Sequence, residues 1–219
     1  ILTSLIIACL FVFLIFIELG LPSFYSVIPA IAIVFLSPQV DRMGGHFSFS
    51  YHFVLPLIIY LLLRFFKKQG FLVSFFIAFL LFFGLTSHQY LFAFCSVFLL
   101  SLWLFLIVKR AISLKKGILL FSIQFLLPLI VYALILSSTT DVTDRTSHPW
   151  GFLYYRAYPE SVFLPFGKPY GSPLYKIFSS LNYMDWEAYA YIGLVAVIGF
   201  GFLLKRIVIS IYSKHFKEI

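Results

Sequence analysis

Twelve residues, Asp41 to His52 (DRMGGHFSFSYH), carry an acid, an arginine, two histidines and a Gly-Gly pair between two almost purely apolar stretches. The planar fork of Arg42 suits a phosphate; with Asp41 it would form only a local ion pair of little value. His46 and His52 are six residues apart, whereas a helical metal pair needs three or four, as in HExxH. Their spacing therefore fits hydrogen bonds to a polar or anionic headgroup better than metal ligation. It fits interfacial residues near a helix start equally well. Gly44-Gly45 would let backbone amides approach an anion. A second polar point is Thr86-Ser-His-Gln-Tyr90. Here His88 and Tyr90 either stand at the mouth of a site or belong to a turn in which Thr86 and Gln89 form a capping box. A third is Asp185-Trp-Glu187. Two residues apart on a helix, the carboxylates diverge by about 200°, so one can face a cavity while the other caps the helix. Neither is half of a ready-made acid/base dyad. Arg145 and Arg156 are solvated loop residues or, with Arg42, an anion site. Glu18 is an acid near lipid depth, a functional position by default, although it falls near the end of its apolar run.

The surroundings of these residues set the class. The 219-residue chain is 62% hydrophobic and only 11% charged, with a mean hydropathy of +1.04. A soluble domain is about half apolar and a quarter charged, and one of this length cannot bury so much apolar surface. Composition therefore predicts an all-α, polytopic transmembrane helical bundle. Cys9 and Cys95 lie inside apolar runs and behave as small buried hydrophobes. The chain opens on ILTSLIIACL with no initiator Met, basic start or cleavage site, which suits a piece of a longer protein.

Apolar runs predict about seven spans, at roughly 2–19, 24–38, 48–64, 71–86, 89–108, 118–138 and 188–204. Pro29, Pro56 and Pro128 fall within them. If the spans alternate, RFFKKQG, KRAISLKKG, KR and KHFKE share one face and hold 11 of the 16 Lys and Arg. The positive-inside rule makes that face cytoplasmic. The net charge of +8 is then topogenic and gives no reason to expect a nucleic-acid partner. The opposite face receives the Asp41–His52 loop, the His88 tip and residues 137–187, a segment too long for an ordinary connection. In it, Ser172 and Pro173 open a short interfacial helix with Leu174, Ile177, Phe178 and Leu181 on one side. The whole is expected to be one transmembrane domain, 1–219, with 137–187 as its extracytoplasmic loop.

The stretch SPQVDRMGGHFSFSYHFVLPLIIYLLLRF (37–65) resembles a segment of bacterial polytopic proteins similar to GT-C glycosyltransferases, through Arg42, Gly45, His46 and His52. LTSHQY resembles their His-x-Tyr hairpin tip through His88 and Tyr90. DWEAYAYIG resembles the start of one of their late spans through Trp186, Glu187, Tyr191 and Gly193. The resemblance implies a bacterial inner-membrane enzyme that takes a sugar from a polyprenyl-phosphate carrier and acts at the extracytoplasmic face on a glycan or lipid acceptor. Of the matched residues, Arg42, His46, His52, Tyr90 and Trp186 would then bind substrate, and Glu187 and His88 would serve catalysis. The chemistry of such a transfer itself asks for cations on the leaving phosphate, which Arg145 or Arg156 could join Arg42 in supplying. It also asks for an acid or base at the acceptor, where Asp185 is the alternative to Glu187, and for an aromatic surface such as Trp150. Tyr154 and Tyr155 would stack on sugar faces beside Trp150. The family's catalytic acid belongs to an earlier external loop than any here, and Asp41 does not stand in for it. The resemblance allows a divalent metal; no ligand set in the sequence requires a metal or other cofactor. A transporter or lipid-glycan flippase would instead need polar residues deep in broken spans, where Gln124 is the main candidate. A non-catalytic scaffold would leave Arg42, His46, His88 and Glu187 pointing apart.

Overall fold

The computed structural model describes residues 2–37, 51, 53–139, 162–163 and 194–215. The chain divides into two compact units, Ile1–Asp141 and Val142–Ile219. Among the described residues the structure is all-α, with seven helices. In the first unit these are α1 (Leu2–Glu18), α2 (Ser23–Phe35), α3 (Val54–Lys67), α4 (Phe71–Ser87), α5 (Gln89–Val108) and α6 (Leu114–Ser137). The second unit contains α7 (Leu194–His215).

Two helices, α5 with 20 residues and α6 with 24, are long and apolar enough to cross a membrane. The helices α1, α2 and α4 are apolar but shorter. At 1.5 Å per residue, the 13 residues of α2 reach about 20 Å, against roughly 30 Å of bilayer hydrocarbon. The last helix runs on past the predicted end at 204 to His215.

Local chemistry sets the helix ends. After α1, Leu21 N–H bonds Phe16 O and Gly20 N–H bonds Ile17 O, both at 3.0 Å. This pair of bonds is a Schellman stop, with Gly20 in the left-handed region at φ 88°. The same pattern closes α5: Ala111 N–H bonds Leu106 O at 2.9 Å and Arg110 N–H bonds Ile107 O at 3.0 Å. Here the left-handed position is filled by Arg110, at φ 50°. Between α4 and α5 there is one residue, His88.

The core forms where helical periodicity collects apolar side chains. Val54, Ile58, Leu61, Leu62 and Phe65 make one face of α3 and pack with Ile77 and Leu81 of α4 and Cys95, Leu99 and Leu106 of α5. A second cluster joins Leu5, Ala8 and Val12 of α1 to Ala30 and Val34 of α2. Gly84 lets α4 and α5 approach at the hairpin: a Cβ there would lie 2.8 Å from Phe92 N and 3.0 Å from its Cα. Outward-facing positions are also apolar, including Phe24, Leu36, Leu72 and Leu114, each more than two-thirds exposed. A water-soluble exterior rarely shows continuous apolar surface of this kind.

Midway along α6, Ser122–Leu126 widen into a π-helical turn, and Leu127 N–H bonds Ser122 O, five residues back. Pro128 follows directly. It has no N–H to give Gln124 O, and in an α-helix its ring would strike that carbonyl. The widened turn accommodates both effects.

Candidate functional site

The first unit has two chemically distinct ends. At one, the C-termini of α1 and α3 meet. Arg64 Nη1 donates to Glu18 Oε1 at 3.1 Å, and Lys67 Nζ donates to Glu18 Oε2 and, at 3.0 Å, to the Glu18 carbonyl. The α1 and α3 helices therefore run parallel there. Glu18 is thus a helix-end ion-pair residue. At the same end Gln69 Nε2 donates to Ala111 O at 3.0 Å, which sets the α3–α4 and α5–α6 connections side by side.

His88 marks the other end. Its Nδ1 accepts a 3.3 Å bond from Tyr90 N–H and caps α5. In the neutral ring the proton is then on Nε2. The His88 and Tyr90 rings lie 5.0 Å apart. The expected Thr86–Gln89 capping box does not form. Thr86 stays in the last turn of α4 and its Oγ1 donates to Phe82 O and Phe83 O, both at 3.1 Å. With one residue between the helices, the cap falls on His88 instead. Tyr51, the last described residue of the first polar loop, stands edge-on to Phe83 at 5.0 Å, and Phe53 is 6.1 Å from the same ring. Phe83 is five residues before His88, about 7.5 Å along the helix. The exit of the Asp41–His52 loop and the His88 tip thus occupy the same end of the unit.

Below them an apolar groove of about 360 Å³ opens between α3 and α4, lined among others by Phe53, Leu57, Leu61, Phe76, Phe79 and Phe83. Its walls are hydrocarbon, and its volume is in the range of small-molecule sites. Sequence periodicity did not single it out, because phenylalanines fill every face of α4.

A buried polar chain links α4, α5 and α6. Trp103 Nε1–H donates to Gln124 Oε1 at 2.8 Å, Gln124 Nε2 donates to Ser74 Oγ at 2.9 Å, and Ser74 Oγ donates to Gly70 O at 3.0 Å. Gln124 and Ser74 are fully buried and Trp103 almost so. Ser96 Oγ is also buried and, among the described residues, has no hydrogen-bond partner. Cys9 and Cys95 are free thiols.

Of the candidate residues, His88 and Tyr90 are placed by the structure. Arg42, His46, His52, Arg145, Trp150, Arg156, Asp185, Trp186 and Glu187 lie outside the described residues, as do the 171–181 interfacial helix and Tyr154 and Tyr155. Among the described residues no three His, Cys, Asp or Glu side chains gather as a metal site.

The described helices, with their apolar exterior, define an all-helical protein in which two helices can cross a membrane. Residues 1–217 match the model of DUF6311, a domain of unknown function, and the chain belongs to this family. No curated protein matches it, and no solved structure does.

Proposed function

We propose that the protein is polytopic in a bacterial inner membrane, crosses it about seven times with its basic loops in the cytoplasm, and works as a glycosyltransferase. In this proposal a sugar passes from a polyprenyl-phosphate carrier to an extracytoplasmic glycan or lipid acceptor. One observation carries it: the apolar groove between α3 and α4 opens beneath Tyr51 and the His88 tip. Hydrocarbon below polar residues is the profile of a lipid-linked substrate. The acceptor hydroxyl would attack the anomeric carbon and give its proton to Glu187 or Asp185. The carbon–oxygen bond to the phosphate would break, and polyprenyl phosphate would leave against Arg42, Arg145 or Arg156. His46, His52 and His88 would hold the donor head, with Trp150, Tyr154 and Tyr155 against sugar faces. The test is to reconstitute the full-length protein in proteoliposomes with a panel of polyprenyl-phosphate-linked hexoses and pentoses and measure release of polyprenyl phosphate. Release that Arg42→Gln and Glu187→Gln abolish supports the proposal. No release from any donor, or release that both variants leave unchanged, refutes it.

A transporter or lipid-glycan flippase is the second reading, and Gln124 on its π-helical turn favours it, because broken helices with buried polar groups line many transport sites. Against it, Gln124 already bonds Trp103 and Ser74. Flipping of a labelled polyprenyl-linked sugar across protein-containing vesicles without hydrolysis or transfer would support that second reading.

A further inference from the structure

The chain concentrates cations at one end of the first unit beyond what local pairing uses. Arg64, Lys67 and Lys68 lie at the end of α3, and Lys109, Arg110, Lys115 and Lys116 lie between α5 and the first turn of α6. All seven are exposed. The Gln69–Ala111 bond draws these two segments, 42 residues apart in sequence, into one surface. Glu18 is the sole acid among the described residues, and it is engaged by Arg64 and Lys67. No carboxylate among the described residues answers the other five.

Two of those five stand where folding alone would not put them. Arg110 occupies the left-handed stop of α5, a position that glycine fills without strain. Lys115 lies in the first turn of α6, which contains no acid, so its charge opposes the helix dipole. A positive-inside signal needs only basic residues somewhere in these loops; it does not call for a cation at a strained position. Arg110, the one of the two in a costly backbone conformation, is the outlier that points to a binding role.

The surface beside the cations is hydrocarbon. Phe66 lies between Arg64 and Lys67 and packs on Phe105 at 5.8 Å. Val108 and Leu114, next to Lys109 and Lys115, are 70% and 79% exposed. A free anion would satisfy the charge and leave this apolar rim unused. An anionic lipid satisfies both. We infer that the paired α3–α4 and α5–α6 connections form a binding site for a membrane lipid with an anionic phosphate headgroup. The inference depends on the membrane placement proposed above and is independent of glycosyl transfer.

Native mass spectrometry of the full-length protein, released from mild detergent doped in turn with a diphosphatidyl lipid, phosphatidylglycerol and phosphatidylcholine, tests it. The wild type is expected to retain the diphosphatidyl lipid at least fivefold more than phosphatidylcholine. Arg110→Gly should cut that retention at least threefold while its unfolding midpoint rises, a combination that a purely structural role would not give. Gln69→Leu, which changes no charge, should also reduce retention. Equal retention of the three lipids overturns the inference. So does undiminished retention by Arg110→Gly, or displacement of the lipid by millimolar pyrophosphate, which would make the apolar rim irrelevant. Membrane placement is checked separately by resistance to alkaline carbonate extraction, so failure of that premise is distinguishable from failure of the lipid site.

Discussion

Replacing Gln124 with leucine tests the buried chain that ties α4, α5 and α6 together. The side chain is fully buried and bonded at both ends. Gln124→Leu keeps most of the volume but leaves the Trp103 indole N–H with no acceptor in an apolar interior. An orphaned buried donor costs about 1–3 kcal/mol. Ser74 suffers less, because its hydroxyl still donates to Gly70 O. We therefore expect a loss of about 2 kcal/mol, read as a lower midpoint in an SDS unfolding titration from micelles. The sharper quantity is the coupling. Trp103→Phe removes the same donor, so the double variant should be less damaged than the two single losses added together. Contacting residues in one hydrogen-bond network couple by about 0.5–3 kcal/mol. The value should fall toward the lower part of that range, since interhelical bonds in membranes average about 0.6 kcal/mol. Additivity within about 0.3 kcal/mol, or a Gln124→Leu protein as stable as the wild type, would show that the three groups do not act as one unit.

Gly84→Ala should destabilise the α4–α5 hairpin by about 1–3 kcal/mol, because the added carbon meets the backbone of Phe92, which cannot rotate away as a side chain would; the same titration measures it. His88→Ala should cost about 0.5–2 kcal/mol through the lost cap, while His88→Asn, which restores an acceptor at that position, should recover most of it. Transfer activity lost in both variants would then assign the imidazole to the donor head, and activity kept in His88→Asn would assign it to capping alone. In a background with Cys9→Ala and Cys95→Ala, a cysteine at Lys68 or Lys109 should react with an impermeant maleimide only after cells are opened. One at Tyr90 should react in intact spheroplasts, and the reverse pattern would invert the proposed orientation.

The helical class and the hairpin turn at His88 were legible from hydropathy, because long apolar runs broken by small polar groups permit few other structures. The long helices α5 and α6 were legible too, although α6 begins at Leu114, a turn earlier than its apolar run, so the lysines of its first turn fall outside the predicted span. The partners of Gln124 were not legible: they lie 21 and 50 residues away, and no local rule connects them. A lone glycine in the apolar run LFFGLTS is a recognisable sign of close helix approach, yet it does not identify Phe92 as the neighbour. The capping rule failed at Thr86 for a physical reason, since that residue is still inside α4. For the candidate site, sequence supplied residue types suited to phosphate and sugar. Their convergence depends on tertiary contacts, and among them the structure supplies only the meeting of Tyr51 and Phe53 with the helix that leads to His88.

The α4–α5 pair is fastened twice. One end turns on a single residue with backbones in near contact at Gly84, and the other is held by the Gln69 amide on the Ala111 carbonyl. Ties at both ends resist scissoring of the two helices, the close backbone contact at Gly84 more than the exposed Gln69 bond. A large rearrangement within the unit would therefore fall on the other helices. The α1–α2 pair has its own small core, whereas the widened turn of α6 is itself tied to α4 and α5 through Gln124.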